Sequence, residues 1–449
     1  MKRLSIGWTA ALMILVGCPS SNSSTPRSPV VQSISPATGG TNGGLQVTIG
    51  GSHIHASATV TVGGILATGI VVVSSQQITA TTPPGFAGPA DVVVTNPDSR
   101  SGTLAGGFTY FPPPGGNFTP QQVVGGLSYP ISIAFAPDWA TTDRIFFTEK
   151  NGEVHIIQSS TLLPQPFVTV AVDSNGDRGL MGIVFDPDYA NNSYVYIFYD
   201  DTRPMQRIVR YEDSSNLGMN PTVILDDLPT VNTYHNAGNM AFGPDGMLYV
   251  TLGDDGNPNR ADDLTSFDGK ILRLNRDGTA PPDNPWYDGT LPRSLIYARG
   301  LRNSFDLGFH PLTGDLYATE NGPGAADEVN LIQAGGHYGW DSSQIGGVRS
   351  QSGMTDPVDV FNPEPALTGI AFNTGYRYPE AYFGDAFIGG WNPPRDIYRV
   401  DMSPPTYTYD PLSRAILLSM PAGVIDVAAG PDGYLYVATS NAIYRIEYN

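Results

Sequence analysis

The chain has 449 residues, a formal net charge of −19 and a pI of about 4.5. This acidity argues against nucleic acid or an anionic membrane surface as a partner, because both would repel the protein. Charged residues make up only 14% of the chain, which contains 52 glycines and 39 prolines. Long amphipathic helical patterns do not occur, and short alternating runs separated by Gly, Pro, Asn and Asp predict an all-β protein.

The first eighteen residues have the pattern of an export signal. Lys2 and Arg3 precede an apolar run at 4–16 that is too short to span a bilayer. The run ends in Leu-Val-Gly-Cys at Cys18, which resembles the lipobox of bacterial lipoproteins. That resemblance implies a lipid-anchored protein of the bacterial cell envelope, periplasmic or surface-exposed, whose mature chain starts at Cys18. Residues 19–29 read as a flexible tether.

Residues 30–111 are predicted to form a small immunoglobulin-like β-sandwich. Four strand-like runs lie at 45–49, 59–62, 70–73 and 91–95, and the segment closes with Gly-Phe-Thr-Tyr at 107–110. The pattern resembles an IPT/TIG domain, a type of module that serves as a spacer or binds an unidentified partner. The Pro-rich residues 112–116 read as a linker.

Residues 117–449 contain a repeat in which an apolar residue and a Pro or Pro-Asp turn precede a strand rich in Tyr, Phe and Val. It occurs at 134–138, 184–188, 241–245, 308–311 and 429–432, and a weaker unit lies at 384–400. All-strand repeats of this length predict a β-propeller, and six units predict six blades. A tandem array of sandwiches is the alternative, but it would not repeat the turn so evenly.

The segment 234–257 places two chemically useful residues at the ends of one hairpin. His235 precedes the first strand, the turn is Gly-Pro-Asp-Gly at 243–246, and Asp254 follows the second strand. A hairpin brings its outer ends together, so both side chains can lie at the same sheet edge. A histidine held by a carboxylate is a general-base pair. The alternative is an ordinary loop histidine beside a turn aspartate.

Several motifs occur in the order typical of one family. They are RGLMG at 178–182, segment 234–257, GKILRL at 269–274, GLRN at 300–303, NGP at 321–323, DEVN at 327–330 and GGHYGW at 335–340. Residues 117–449 therefore resemble the glucose/sorbosone dehydrogenases, soluble quinoproteins that oxidise an aldose at the anomeric carbon with pyrroloquinoline quinone (PQQ) and calcium.

The resemblance implies a role for each matching residue. His235 corresponds to the base that takes the proton of the anomeric hydroxyl, and Asp254 to the carboxylate that orients it. Arg302 corresponds to the arginine beside the quinone oxygens, and an interblade salt bridge is the alternative for this residue.

The remaining site residues follow from the same resemblance. Asn303, Asn321 and Asp327 belong to the cofactor site, and the carbonyls of Gly322 and Pro323 to the calcium attached to the cofactor. A capped turn is the alternative for Asp327.

The sequence departs from the family where cations are expected. Gly423 and Ile425 stand at arginine positions, Asn392 is nearest to a lysine position, and Asp177 stands where some members have a glutamine. Candidates to replace the lost cations are Arg377 and Arg395. A second hypothesis is therefore a catalytically inactive propeller that binds a carbohydrate or a protein, and a calcium-dependent hydrolase is a weaker third.

Overall fold

The computed structural model describes residues 27–203, 205–236, 238–324, 326–340, 353–402 and 404–449. Cys18 and the predicted export signal lie outside these residues. Two compact units divide the chain near Tyr110. Within the described residues, no helix is long and apolar enough to cross a membrane.

The N-terminal unit is a β-sandwich of two antiparallel sheets. The first sheet consists, in spatial order, of Val30–Ser35, Gln46–Ser52, Gln77–Thr81 and Thr68–Ser74. The second consists of Thr38–Gly40, Ser101–Phe111, Gly88–Thr95, Thr59–Val62 and Ile65–Leu66. Residues alternate between buried and exposed along Gly88–Thr95, as a strand with one face on a core requires. The predicted sandwich is confirmed.

The second unit is a six-bladed propeller built from six four-stranded antiparallel sheets, and blade 1 has a short extra strand at Val168–Thr169. Blade 1 consists of Pro130–Phe135, Ile145–Glu149, Glu153–Gln158 and Thr161–Leu162. Blade 2 consists of Leu180–Phe185, Tyr194–Asp200, Met205–Ser214 and Leu217–Pro229. Blade 3 consists of Met240–Phe242, Leu248–Leu252, Lys270–Leu274 and Ile296–Arg299. Blades 4 and 5 consist of Ser304–Phe309, Leu316–Glu320, Asp327–Ile332 and Asp359–Phe361; and Leu367–Phe372, Ala386–Gly390, Asp396–Val400 and Ala415–Ser419. Blade 6 consists of Val424–Ala429, Leu435–Thr439, Ala442–Tyr448 and Phe118–Gly125.

The two ends of this unit pair with each other in blade 6. Phe118–Gly125 runs antiparallel to Ala442–Tyr448, with Thr119 opposite Glu447. The first strand of each blade contacts the first strand of the next, and that of blade 6 contacts that of blade 1. Closure therefore leaves the ring without an open sheet edge between its ends, as the sequence predicts.

Short helices occur only in connections among the described residues. They are single α-turns at Trp139–Thr142, Tyr189–Asn192 and Pro258–Ala261 and 3₁₀ turns at Arg293–Leu295, Glu380–Tyr382 and Pro411–Ser413.

Buried carboxylates accept backbone N–H groups at bulges in the first strands. The pairing of the first strand shifts between Pro130 and Ile133 in blade 1 and between Leu367 and Ile370 in blade 5. The N–H of Ile133 is accepted by Asp426 and that of Ile370 by Asp306, both at 2.7 Å. The N–H groups that the bulges release are thus paired across neighbouring blades.

The Pro-Asp repeat has a hydrogen-bonding cause. In blade 3, Asp245 Oδ1 accepts the N–H of Met247 and Oδ2 accepts the hydroxyl of Tyr249. In blade 6, Asp432 does the same with Tyr434 and Tyr436. One carboxylate therefore closes the turn and orients the tyrosine of the next strand.

The predicted weak unit at 384–400 falls in a blade, one strand later than the other five units. Ala386–Gly390 and Asp396–Val400 are the second and third strands of blade 5, and the first strand is Leu367–Phe372. The connection between the first two strands holds the 3₁₀ turn Glu380–Tyr382 and lacks a Pro-Asp turn. Without that turn the sequence does not mark the first strand.

In several blades, a carboxylate at the end of the second strand accepts a backbone N–H just before the first strand. Glu149 accepts the N–H of Ser128 at 2.7 Å, and Glu320 accepts the N–H of Arg302 at 2.6 Å. In blade 2, Asp200 Oδ2 accepts the N–H of Gly179 at 3.2 Å. Its Oδ1 is buried without a hydrogen-bond partner among the described residues, and burial raises the pKa of Asp200 to about 7.

Asp200→Asn is expected to stabilise the protein at pH 8 by at most about 4 kcal/mol and to change little at pH 4. The folded protein retains this proton at pH values where the unfolded chain has lost it, so the contribution of Asp200 falls as pH rises from about 4 to 7. Urea unfolding at both pH values measures the difference, with Asp98→Asn on the sandwich as control. An equal change at both pH values would contradict this account.

Candidate functional site

His235 and Asp254 form a hydrogen-bonded pair at one end of blade 3, where His235 precedes the first strand and Asp254 follows the second. His235 Nδ1 lies 2.6 Å from Asp254 Oδ1, and the Asp254 side chain is fully buried while that of His235 is 17% exposed. Because an ionised carboxylate only accepts hydrogen bonds, Nδ1 carries the proton and Nε2 is left as the basic nitrogen. Nε2 has no hydrogen-bond partner among the described residues. The predicted contact between the two side chains is confirmed.

Three features of the backbone hold His235 in place. Its φ is +61°, a left-handed conformation that is uncommon outside glycine and is seen at functional sites. Its N–H donates to Asp177 Oδ2 at 2.8 Å, and the Asp177 N–H donates to the Thr233 carbonyl at 2.7 Å. A Cβ at Gly253 would lie 1.9 Å from the His235 carbonyl oxygen, so glycine is needed for this close approach.

Asp254 is held by more than the histidine. Its Oδ1 also accepts the N–H of Gly256 at 2.8 Å, and its Oδ2 accepts the indole N–H of Trp340 at 2.7 Å. The Asp254 N–H donates to the Arg302 carbonyl at 2.7 Å. Hydrogen bonds to Gly256, Trp340 and Arg302 thus hold the His235–Asp254 pair in place. Trp340 was not predicted as a site residue, although it ends the GGHYGW motif at 335–340.

Arg302 lies beside this unit. Its guanidinium carbon is 5.6 Å from the Trp340 ring centroid, and Nη1 donates to the Asn321 carbonyl at 2.7 Å. Burial lowers the pKa of Arg302, and the carboxylates of Asp254 and Glu320 oppose that shift. The structure therefore places a partly buried cation beside Trp340, whose indole N–H binds Asp254.

The predicted residues Asn321, Gly322 and Pro323 lie in the turn between the second and third strands of blade 4, and Asn303 lies just before its first strand. Asn303 Nδ2 lies 3.4 Å from Asn321 Oδ1. Asn321 leads into Gly322, whose Cβ would lie 1.5 Å from the Ala326 carbonyl, and then Pro323. Both oxygens of Asp327 accept backbone N–H groups, from Gly322 at 2.9 Å and Leu367 at 3.0 Å.

Asp327 is 1% exposed, and burial raises its pKa. Its contacts match the capped-turn alternative rather than the direct cofactor contact that was predicted. By accepting the Gly322 N–H, Asp327 fixes the conformation of the turn that contains Asn321 and Gly322.

A cavity of about 360 Å³ opens at the same end of the propeller axis. Its lining includes Asp177, Asn303 and Asn321 of the predicted site. His235 and Arg302 are not on its lining, but each bonds to a lining residue, His235 to Asp177 and Arg302 to Asn321. A larger cavity of about 550 Å³ lies at the opposite end of the first strands and contains none of the predicted site residues.

Lys150 is the cation on the lining of this smaller cavity, and sequence reasoning missed it. Its ammonium donates to the Gly176 carbonyl and lies 6.0 Å from the Tyr129 ring centroid. Neither Arg377 nor Arg395 lines the cavity, and Arg377 instead donates to the Asp432 carbonyl at 3.0 Å.

A closed six-bladed propeller with a hydrogen-bonded histidine–aspartate pair at one end of its axis defines the class of this protein. The chain belongs to the glucose/sorbosone dehydrogenase family, whose model matches residues 127–446. An IPT/TIG domain model matches residues 29–110. Both predicted resemblances are thereby confirmed.

Relatives of the chain include a sugar dehydrogenase and a Hedgehog-interacting protein. It is 28% identical over 335 residues to aldose sugar dehydrogenase YliI of Escherichia coli strain K12, covering 70% of this chain and 88% of that protein. It is 27% identical over 219 residues to the human Hedgehog-interacting protein, covering 41% of this chain and 31% of that protein.

Solved structures agree with the fold. The soluble aldose sugar dehydrogenase of Escherichia coli in its apo form is similar with a TM-score of 0.66 and 25% identity, over 74% of this chain and all of that one. The PQQ-bound aldose sugar dehydrogenase of Streptomyces coelicolor is similar with a TM-score of 0.64 and 27% identity, over 75% of this chain and all of that one.

Proposed function

We propose that the protein is an aldose dehydrogenase that uses PQQ and calcium. The observation that carries the proposal is the 2.6 Å contact between His235 Nδ1 and the buried Asp254, which leaves Nε2 as a base. The backbone N–H of His235 bonds to Asp177, which lines a ligand-sized cavity. His235 takes the anomeric hydroxyl proton at Nε2 while the C1 hydrogen leaves with its electron pair, so that the aldose becomes a lactone. PQQ, when bound, supplies the acceptor for that hydride.

The donor set of the cavity fits a flat cofactor with carbonyl and carboxylate oxygens. Lys150 and the amides of Asn303 and Asn321 line it with aromatic and apolar side chains, and Arg302 lies next to Asn321. A fixed cation at that position stabilises negative charge that develops on a bound ligand.

The turn of Gly322 and Pro323 would hold the calcium, since carbonyl oxygens are ligands that this hard cation prefers. The Gly322 carbonyl already accepts the Gly324 N–H at 3.1 Å, which leaves its second lone pair for a cation.

Calorimetric titration of the purified protein with PQQ tests the proposal. Uptake of one equivalent is expected in calcium, with weaker binding in a chelator. Absence of uptake at micromolar PQQ in both conditions would overturn it.

A propeller that binds without turnover is the second candidate. The absence of cations at Gly423, Ile425 and Asn392 favours it, as does the similarity to the Hedgehog-interacting protein. A protein that binds aldoses equally with and without PQQ, and never oxidises them, would support this candidate.

The proposal extends to location. The charged residues at 2–3, the apolar run and the lipobox support export and anchoring through Cys18. With the bacterial host expressing the full chain, Cys18→Ala is expected to move the protein from the membrane fraction to the soluble fraction and to abolish labelling by a clickable fatty acid. A variant that stays membrane-bound and lipid-labelled would contradict the anchor.

A further inference from the structure

Trp391 lines the cavity together with a second aromatic residue. It follows the strand Ala386–Gly390, and its backbone N–H donates to the Ala366 carbonyl at 3.0 Å. Its ring centroid lies 6.2 Å from that of Tyr129 at an interplanar angle of 34°. Both rings line the cavity, so blades 5 and 1 together supply an aromatic wall.

Gly423 is what makes room for this indole. A Cβ at position 423 would lie 2.4 Å from Trp391 Cε3 and 2.8 Å from Cδ2. Real side chains do not approach this closely, and the backbone of Gly423 does not adopt a positive φ. Glycine is therefore required here for space and not for conformation, because the Trp391 ring occupies the volume into which a side chain at 423 would project.

The neighbouring positions also lack charge. Ile425 lines the cavity with an apolar side chain, and the amide of Asn392 is directed to the Glu364 carbonyl at 3.5 Å. The positive charge on the lining comes from Lys150, whose ammonium lies 6.0 Å from the Tyr129 ring centroid. One wall thus offers aromatic faces, and one ammonium stands beside it.

We infer that this chain holds its flat cofactor by stacking on Trp391 and Tyr129, with Lys150 as the partner of one carboxylate. This inference rests on the proposed function. Flat aromatic ligands gain binding energy from stacking without a matched charge, so an aromatic wall takes over part of what an arginine clamp would supply. Binding that depends on few ionic contacts is also less sensitive to salt.

The first test follows PQQ binding by tryptophan fluorescence and calorimetry in calcium. Trp391→Leu is expected to weaken binding roughly 10- to 100-fold and to remove most of the quenching, whereas Trp391→Phe should keep most of the affinity. Trp139→Phe, outside the cavity, is the control that leaves affinity and most of the quenching unchanged. Lys150→Met should weaken binding at low salt and flatten the remaining salt dependence.

The second test is a double-mutant cycle between the two packed positions. Gly423→Ala should weaken PQQ binding in the wild-type background, because its Cβ displaces the indole, and should be nearly neutral beside Trp391→Leu. Thermal melts confirm that each variant is folded.

Three results would overturn the inference. Unchanged PQQ affinity in Trp391→Leu would refute the stacking inference and leave the proposed function standing. An increase in the KM for aldose with no other change would do the same, and it would assign the ring to the sugar. Failure of the wild type to bind PQQ would instead refute the proposed function and this inference together.

Discussion

His235→Ala is expected to lower the turnover of an aldose by about 10²–10⁴-fold, the usual effect of losing a general base. The side chain makes one hydrogen bond, to Asp254, and is partly exposed, so thermal stability should change little. The measurement compares the kcat of the PQQ-loaded variant with that of the PQQ-loaded wild type, using an artificial electron acceptor.

His53→Ala is the matched control, since His53 is an exposed histidine of the sandwich. It should leave kcat and melting temperature unchanged. Turnover by His235→Ala within about threefold of wild type would show that another group takes the proton.

Asp254→Asn is expected to lower turnover, by less than His235→Ala, and also to destabilise the fold by about 1–3 kcal/mol. Both Asp254 oxygens accept hydrogen bonds, from His235 and Gly256 on one side and Trp340 on the other. An amide has only one oxygen, so its NH₂ must face at least one of these donors in either orientation.

If the amide NH₂ faces His235, it favours the tautomer with the proton on Nε2, and the base is lost while the ring remains. Steady-state kinetics and thermal melts of the same preparation measure both effects. Unchanged kcat together with unchanged melting temperature would show that Asp254 neither orients the histidine nor secures the loop.

The pairing of His235 with Asp254 was predictable because it depends on local geometry. One hairpin separates the two residues, and its outer ends meet. The burial of Asp254 was not predictable in this way. Its position after a strand suggests a loop edge of little importance for stability, but Trp340, which lies 86 residues further along the chain, covers it.

The blade pattern was predictable wherever a Pro-Asp turn marks the first hairpin, as at Asp245 and Asp432. In blade 5, where a 3₁₀ turn replaces that signal, the predicted unit covers the second and third strands and the first strand was not predicted. The cavity cation was missed for a different reason. Lys150 and Trp391 come from blades 1 and 5, and only closure of the ring brings them to one cavity.

The Gly423 position looked like a simple loss of charge because its contact with Trp391 cannot be read from the sequence. From sequence alone, glycine at an expected arginine position is a missing contact. The structure adds that Trp391 fills that volume, which turns the loss into an exchange of one kind of ligand contact for another.

The most direct test of the central claim is anaerobic mixing of the calcium- and PQQ-loaded protein with excess aldose while the absorbance of the bound quinone is followed. The account predicts reduction of the bound quinone by the wild type in a single turnover, and reduction about 10²–10⁴-fold slower in His235→Ala at equal PQQ occupancy. A wild-type protein that retains PQQ but leaves it oxidised with every aldose tested would contradict the account.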